Sequence, residues 1–143
     1  MIIFWLLTII FLCLLSVNDI RTKTIPGWAP PFFGIAVGAL HLLVPGMSFL
    51  QCVSGLIPGA CLLLVSAAFH SGVGCGDACA LMACGAALGA ERAFAALTAA
   101  FVFCAVFCSV LLLGKKIRRS DCVPFLPFLA SSHIVLMIAE VVS

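Results

Sequence analysis

The chain has 143 residues, 65% of them hydrophobic and 8% charged, and a formal net charge of +2; its mean hydropathy is +1.36. A water-soluble domain of this length keeps most residues in contact with solvent and cannot hide that much apolar surface. Soluble architectures are therefore excluded, no nucleic-acid partner is expected, and the chain reads as an integral protein of a lipid bilayer.

In chain order, the apolar runs cover residues 1–17, 28–44, 49–68, 78–90, 93–113 and 123–142. A helix needs about 20 residues to cross a bilayer, within a range of about 17–25. Four runs fit easily. The run 28–44 is marginal, with Pro30 and Pro31 near its start, where proline is tolerated. The run 78–90 is short, which places Asp77 and part of the preceding glycine-rich stretch below the headgroups. The expected fold class is all-α: a polytopic integral membrane protein with about six transmembrane helices, a single transmembrane domain over 1–143. The first run lacks the basic n-region and small-residue cleavage site of a signal peptide and is read as a retained helix. Pro58 is expected to kink the third helix. Glycines four apart at Gly34/Gly38, Gly55/Gly59 and Gly85/Gly89 predict close helix contacts.

Nine cysteines occur, and none forms a C-x-x-C pair. Cys13, Cys52, Cys61, Cys84, Cys104 and Cys108 lie inside apolar runs, where cysteine behaves as a small hydrophobe. No disulfide framework, metal or cofactor is expected.

The charges are more informative. Six of the seven basic residues fall in two groups, Arg21 with Lys23, and Lys115, Lys116, Arg118 and Arg119; the seventh is Arg92. With six crossings, the first group and Asp19 follow helix 1, Asp77 follows helix 3, and the second group follows helix 5. The opposite face carries the uncharged loop at Pro45 and Gly46 and a turn at Glu91 and Arg92. The positive-inside rule makes the basic face cytoplasmic. Asp19 and Asp77 are then on that same side.

Carboxylates at membrane depth are costly and mark function by default. Asp19 ends a run broken only by Thr8 and Ser16. Arg21, Lys23, Ile25 and Pro26 follow it at short intervals. Gly74, Gly76 and Asp77 stand in a Gly-x-Gly-Asp pattern, whose glycines permit close backbone approach and positive φ, so that a substrate strand can lie against them. Two carboxyl groups a few ångströms apart cannot both ionise cheaply, so they share a proton and their titrations separate. Such a pair supplies a general base for water and a general acid for a carbonyl.

These two motifs, their separation, and the segment 123–130 with Pro124, Phe125, Pro127 and Phe128 resemble the type IV prepilin peptidases. These are intramembrane aspartic proteases of the GxGD kind, related to the archaeal preflagellin peptidases. The resemblance spans residues 16–130. It implies that Asp19 and Asp77 are the catalytic pair, and that Gly74, Gly76, Ile25 and Pro26 shape the site. It also implies a reaction: removal of a short basic leader from prepilin or pseudopilin substrate helices at the cytoplasmic face of the cell (inner) membrane, usually just after a glycine. Two positions depart from the family's pattern: Cys79, where many members carry lysine, and Gly27, where others carry asparagine. Larger bifunctional members have an extra helix and a cytoplasmic segment with paired cysteines. This chain starts at the helix leading to Asp19, so neither zinc nor N-methylation of the product is implied.

Three other readings stay open at this stage. One is a non-catalytic pilus-assembly membrane protein of the same fold, kept alive by Cys79. Another is a small ion or proton transporter using the paired carboxylates. The third is a presenilin-like protease acting on other membrane helices. Arg21, Lys23 and the group at 115–119 read as headgroup anchors, and Asp121 as a surface ion-pair partner of that group. His70 reads as structural, His41 and His133 have no titrating partner nearby in sequence, and Glu91, Arg92 and Glu140 read as polar residues of the outer face.

Overall fold

The computed structural model describes residues 2–22, 27–43, 49–69, 74–114 and 123–142. Seven helical segments follow one another: α1 (Ile2–Thr22), α2 (Ala29–Leu43), α3 (Phe49–Ser54), α4 (Leu56–Phe69), α5 (Cys75–Leu88), α6 (Ala90–Leu113) and α7 (Leu126–Val142). No strand occurs among the described residues. α1, the α3–α4 pair (Leu50–Ala68) and α6 are each long and apolar enough to cross a membrane; α2, α5 and α7 are shorter apolar helices. The expected all-α membrane fold is what the chain adopts.

α1 displays the inside-out logic of such a fold. Phe4, Trp5, Thr8, Leu12, Leu15, Ser16 and Asp19 are buried, spaced three or four apart along one helix face. Ile3, Ile10, Leu14, Val17 and Ile20 are more than half exposed. Polar groups face the protein and hydrocarbon faces outward, the arrangement lipid favours. Thr8 satisfies its hydroxyl by donating to Phe4 O at 2.7 Å.

α3 and α4 are one apolar span interrupted at Gly55, which lies between them. The expected kink from Pro58 takes this form: a proline has no N–H, so the Ser54 carbonyl four residues earlier loses its helical donor, and the ring crowds that carbonyl. The break falls beside Ser54. It also brings the span against α5, because a Cβ built on Gly55 would land on the carbonyl of Gly85, and one built on Gly59 would strike Met82 and the Ala78 carbonyl. Two of the three glycine motifs thus make the predicted close contact. The third does not: nothing lies within 4 Å of a Cβ on Gly34 or Gly38. A small residue permits close approach without compelling it.

α5 is the central helix. It packs on α4, α2, α6, α3 and α1, and ten of its fourteen residues are buried. Its Ala, Gly and Cys side chains allow neighbours on every side. It ends at Gly89, with φ 90 and ψ 166, a region essentially reserved for glycine. The Gly89 N–H closes on Gly85 O at 2.7 Å, and Gly89 O accepts from Ala93 N at 3.1 Å. One residue therefore joins α5 to α6. The turn expected at Glu91 and Arg92 is corrected by this: both lie inside α6, because the left-handed glycine, not the charge, ends the helix.

α6 buries only Ala93, Ala96 and Ala100, and α7 packs on α6 and α1. At the end of the bundle where α6 starts and α7 finishes, Arg92 Nε and Nη2 donate to the Glu140 carboxylate at 2.9 and 2.8 Å. Between α1 and α7, Ser132 and His133 are fully buried. His133 Nδ1 donates to Leu129 O at 2.8 Å.

Candidate active site

Asp19 lies in the last turn of α1, not in the loop beyond it, since α1 runs on to Thr22. Asp77 lies in the first turn of α5, because that helix starts at Cys75 rather than at residue 78. Both positions differ from the expectation in the same way. A charge ends a hydropathy run, but it does not end a helix.

Each carboxylate is 8% exposed. α1 packs directly on α5, and Asp19 acts electrostatically on Asp77. The fold therefore brings together two acidic groups from distant parts of the chain, at the end of the bundle opposite Arg92 and Glu140. Leucines close the floor behind them: Leu12 and Leu15 of α1, Leu81 of α5, and Leu126 and Leu129 of α7 belong to one buried cluster.

The carboxylates are held by backbone amides. Asp77 Oδ2 accepts from Gly74 N at 3.3 Å, while Asp77 N donates to Gly74 O at 3.0 Å. This is the acidic half of a capping box; Gly74 has no side chain with which to return the bond. Gly74 has φ −66 and ψ 138, an extended conformation open to any residue. The positive φ expected of this motif occurs, among the described residues, at Gly89 instead. A Cβ on Gly74 would sit 3.4 Å from Asp77 Oδ2, an ordinary contact. What this position provides is one exposed, extended residue beside the carboxylate. Gly76 is half-buried in the first turn of α5. Asp19 accepts a hydrogen bond from the backbone N–H of Leu126, the first residue of α7.

Cys79 lies one turn along α5 from Cys75. It also lines a groove of about 280 Å³ with Gly27, Pro30, Gly34, Leu56 and Met82. The groove is apolar and runs over α5 between α2 and α4. Ile25 and Pro26, expected to shape the site, lie outside the described residues, as do Lys23, His70, Lys115, Lys116, Arg118, Arg119 and Asp121. The residue that the residue-by-residue reading missed is Leu126. Its contribution is a backbone N–H, which no side-chain motif announces.

Two buried carboxyl groups within electrostatic reach of one another can be held with one ionised and the other protonated, the combination that activates a water. No curated protein and no solved structure matches the chain. The type IV leader peptidase family matches it over residues 6–109, which include α1 with Asp19 and α5 with Asp77. That span is well over half of the sequence, and the chain belongs to the type IV leader peptidase family.

Proposed function

We propose that the protein is an intramembrane aspartic endopeptidase that removes the basic leader of type IV prepilin-like subunits, with Asp19 and Asp77 as its catalytic residues. The observation that carries this reading is the convergence of the two carboxylates at one end of the bundle, in a chain whose family cleaves leaders.

The chemistry follows from one proton held between two carboxyl groups. The ionised member takes a proton from water, whose oxygen attacks the scissile carbonyl carbon. The protonated member gives its proton to the carbonyl oxygen. When the tetrahedral gem-diol collapses, the C–N bond breaks, the leaving nitrogen takes the proton first removed from water, and a diol hydroxyl returns its proton to the carboxylate that had protonated the carbonyl oxygen. The pair ends with one proton, as it began. No covalent enzyme intermediate is needed.

The apolar groove over α5 suits the hydrophobic helix that follows a leader. The exposed, extended backbone at Gly74 suits a strand presented for cleavage. Basic residues cluster by sequence at the carboxylate end, with Arg21 two residues from Asp19, which supports a cytoplasmic orientation of the site in the inner membrane.

The test is cleavage of a prepilin by the purified protein in detergent, read by mass spectrometry. The wild-type protein is expected to release the leader at a single bond, and Asp19→Asn and Asp77→Asn are each expected to abolish release. Native-rate cleavage by either variant would remove the carboxylate pair as the catalyst.

A further inference from the structure

A cavity of about 400 Å³ lies at the end of the bundle away from the carboxylates. It is walled by α1 at Trp5, by α6 at Glu91, Arg92 and Ala95, and by α7 at Leu136 and Glu140. α1 and α6 are long and apolar enough to cross a bilayer, and both start here. The cavity therefore sits at headgroup level, the depth that tryptophan favours.

Its polar groups do not satisfy one another. A guanidinium has five N–H donors. Arg92 Nε and Nη2 each give one to Glu140, and Nη1 gives one to Leu88 O at 3.3 Å. One hydrogen is left on each terminal nitrogen, while Glu140 is taken up by Arg92. Glu91 lines the same cavity and has no hydrogen-bond or ion-pair partner among the described residues. Trp5 is 2% exposed, and its indole Nε1–H is a buried donor without an acceptor. Glu140 is within its electrostatic reach but closes no hydrogen bond with it. An orphaned buried donor is costly, so this one points to an acceptor that the chain itself does not supply.

The charges select the ligand. Two carboxylates and one guanidinium leave the cavity a net −1. A simple anion would meet the free hydrogens of Arg92 but stand against Glu91. A simple cation would satisfy Glu91 and leave every donor orphaned. A group carrying both charges satisfies both sides. At headgroup level, a phospholipid bearing a phosphate and a primary ammonium has that pattern. Ala95 and Leu136 give its glycerol an apolar wall, and α6 and α7 expose Phe94, Val135 and Ile138 to acyl chains.

We propose that this cavity binds the headgroup of an aminophospholipid, with the phosphate on the free hydrogens of Arg92, beside the Trp5 indole N–H, and the ammonium on Glu91. The site is separate from the carboxylate pair and does not depend on what the pair cleaves.

The full-length protein, stripped of lipid in detergent, is titrated with phosphatidylethanolamine or phosphatidylglycerol of the same acyl chains. Bound lipid is counted by native mass spectrometry. Trp5 emission is followed in a Trp28→Phe background, since the chain has two tryptophans. The wild-type protein is expected to hold phosphatidylethanolamine about tenfold more tightly, with a shift in Trp5 emission, and Arg92→Gln to weaken both lipids about tenfold. Glu91→Gln, at an exposed position, is expected to erase the preference. Equal affinity for the two lipids, or an unchanged preference in Glu91→Gln, would overturn the proposal even if Arg92→Gln failed to fold. Lipid binding that left Trp5 emission unmoved would place the lipid elsewhere and overturn it too. Water-soluble glycerophosphoethanolamine is expected not to compete at equal concentration; binding as tight as that of the whole lipid would assign the cavity to a soluble ligand instead.

Discussion

Gly55 and Gly85 meet backbone to backbone: a Cβ added to either would fall on the carbonyl oxygen of the other. This contact seats the α3–α4 span on the central helix, about two helical turns along α5 from Asp77. Gly34 and Gly38 share the same four-residue spacing but face open space. The two motifs should therefore respond oppositely to the same substitution. Gly85→Ala or Gly55→Ala has to push two backbones apart and is expected to cost about 3 kcal/mol or more, the upper end of overpacking. Gly34→Ala and Gly38→Ala remove a flexible residue from a helix and are expected to be neutral or stabilising by up to about 1 kcal/mol. Unfolding of the four variants in mixed micelles checks this.

Gly89 makes a separate demand. Its φ of 90 with ψ 166 is closed to residues with a side chain, and straining it costs about 1–3 kcal/mol. Gly89→Ala is expected to lower the unfolding midpoint and loosen the α5–α6 hairpin. Asp77 sits at the other end of α5, so any residual activity should show an unchanged bond specificity. A variant as stable as wild type would mean that the chain reverses by another route.

The pairing of acidic groups was legible in the sequence; the frame that pairs them was less so. Asp19 and Asp77 stand out because membrane-depth carboxylates are rare. The helix boundaries around them were misplaced for one shared reason. Asp77, Glu91 and Arg92 interrupt hydropathy, yet all lie within helical turns. Boundaries are set by backbone chemistry, such as the Gly74 cap and the left-handed Gly89. The centrality of α5 was also hidden. Its run of Ala, Cys and Gly reads as a weak, short segment, whereas small side chains are what let five neighbours approach it. The amide of Leu126 left no trace in side-chain patterns.

Arg92 and Glu140 form a two-point ion pair at the end of the bundle far from the carboxylates. Their side chains are 35% and 39% exposed, so solvent screens the pair and it is worth at most about 1 kcal/mol. Glu140→Gln is expected to reduce stability by no more than that, with a smaller effect at high salt, and to leave cleavage unchanged. A large loss of activity in a stably folded Glu140→Gln protein would show that the two ends of the bundle are coupled.

The shared proton predicts a two-sided pH dependence. Below the range in which the pair holds one proton, both carboxyls are protonated and no base remains for water. Above it, both are ionised and no acid remains for the carbonyl oxygen. The rate is therefore expected to fall on both sides, and the two limits belong to the pair rather than to either residue. Replacing either aspartate by asparagine should remove activity at every pH. Each replacement also takes away a charge buried among leucines, so stability is expected to hold or rise. Loss of folding in both variants would instead make the carboxylates structural. The measurements are a cleavage rate profile and an unfolding curve for the same preparations.

Cys79 gives a direct probe of the groove. It is half-buried, lines the apolar channel over α5 and lies two residues from Asp77. Cys13 and Cys61, by contrast, are exposed on α1 and α4. If a substrate helix occupies the channel, saturating prepilin is expected to slow alkylation of Cys79 severalfold and leave Cys13 and Cys61 unaffected. A bulky adduct on Cys79 should raise KM before it lowers kcat, because it fills binding space without touching the carboxylates. Cys79→Ser, close in size, should keep most of the activity and lose the sensitivity to alkylation. Equal alkylation of all three thiols with and without prepilin would place the substrate helix elsewhere on the bundle.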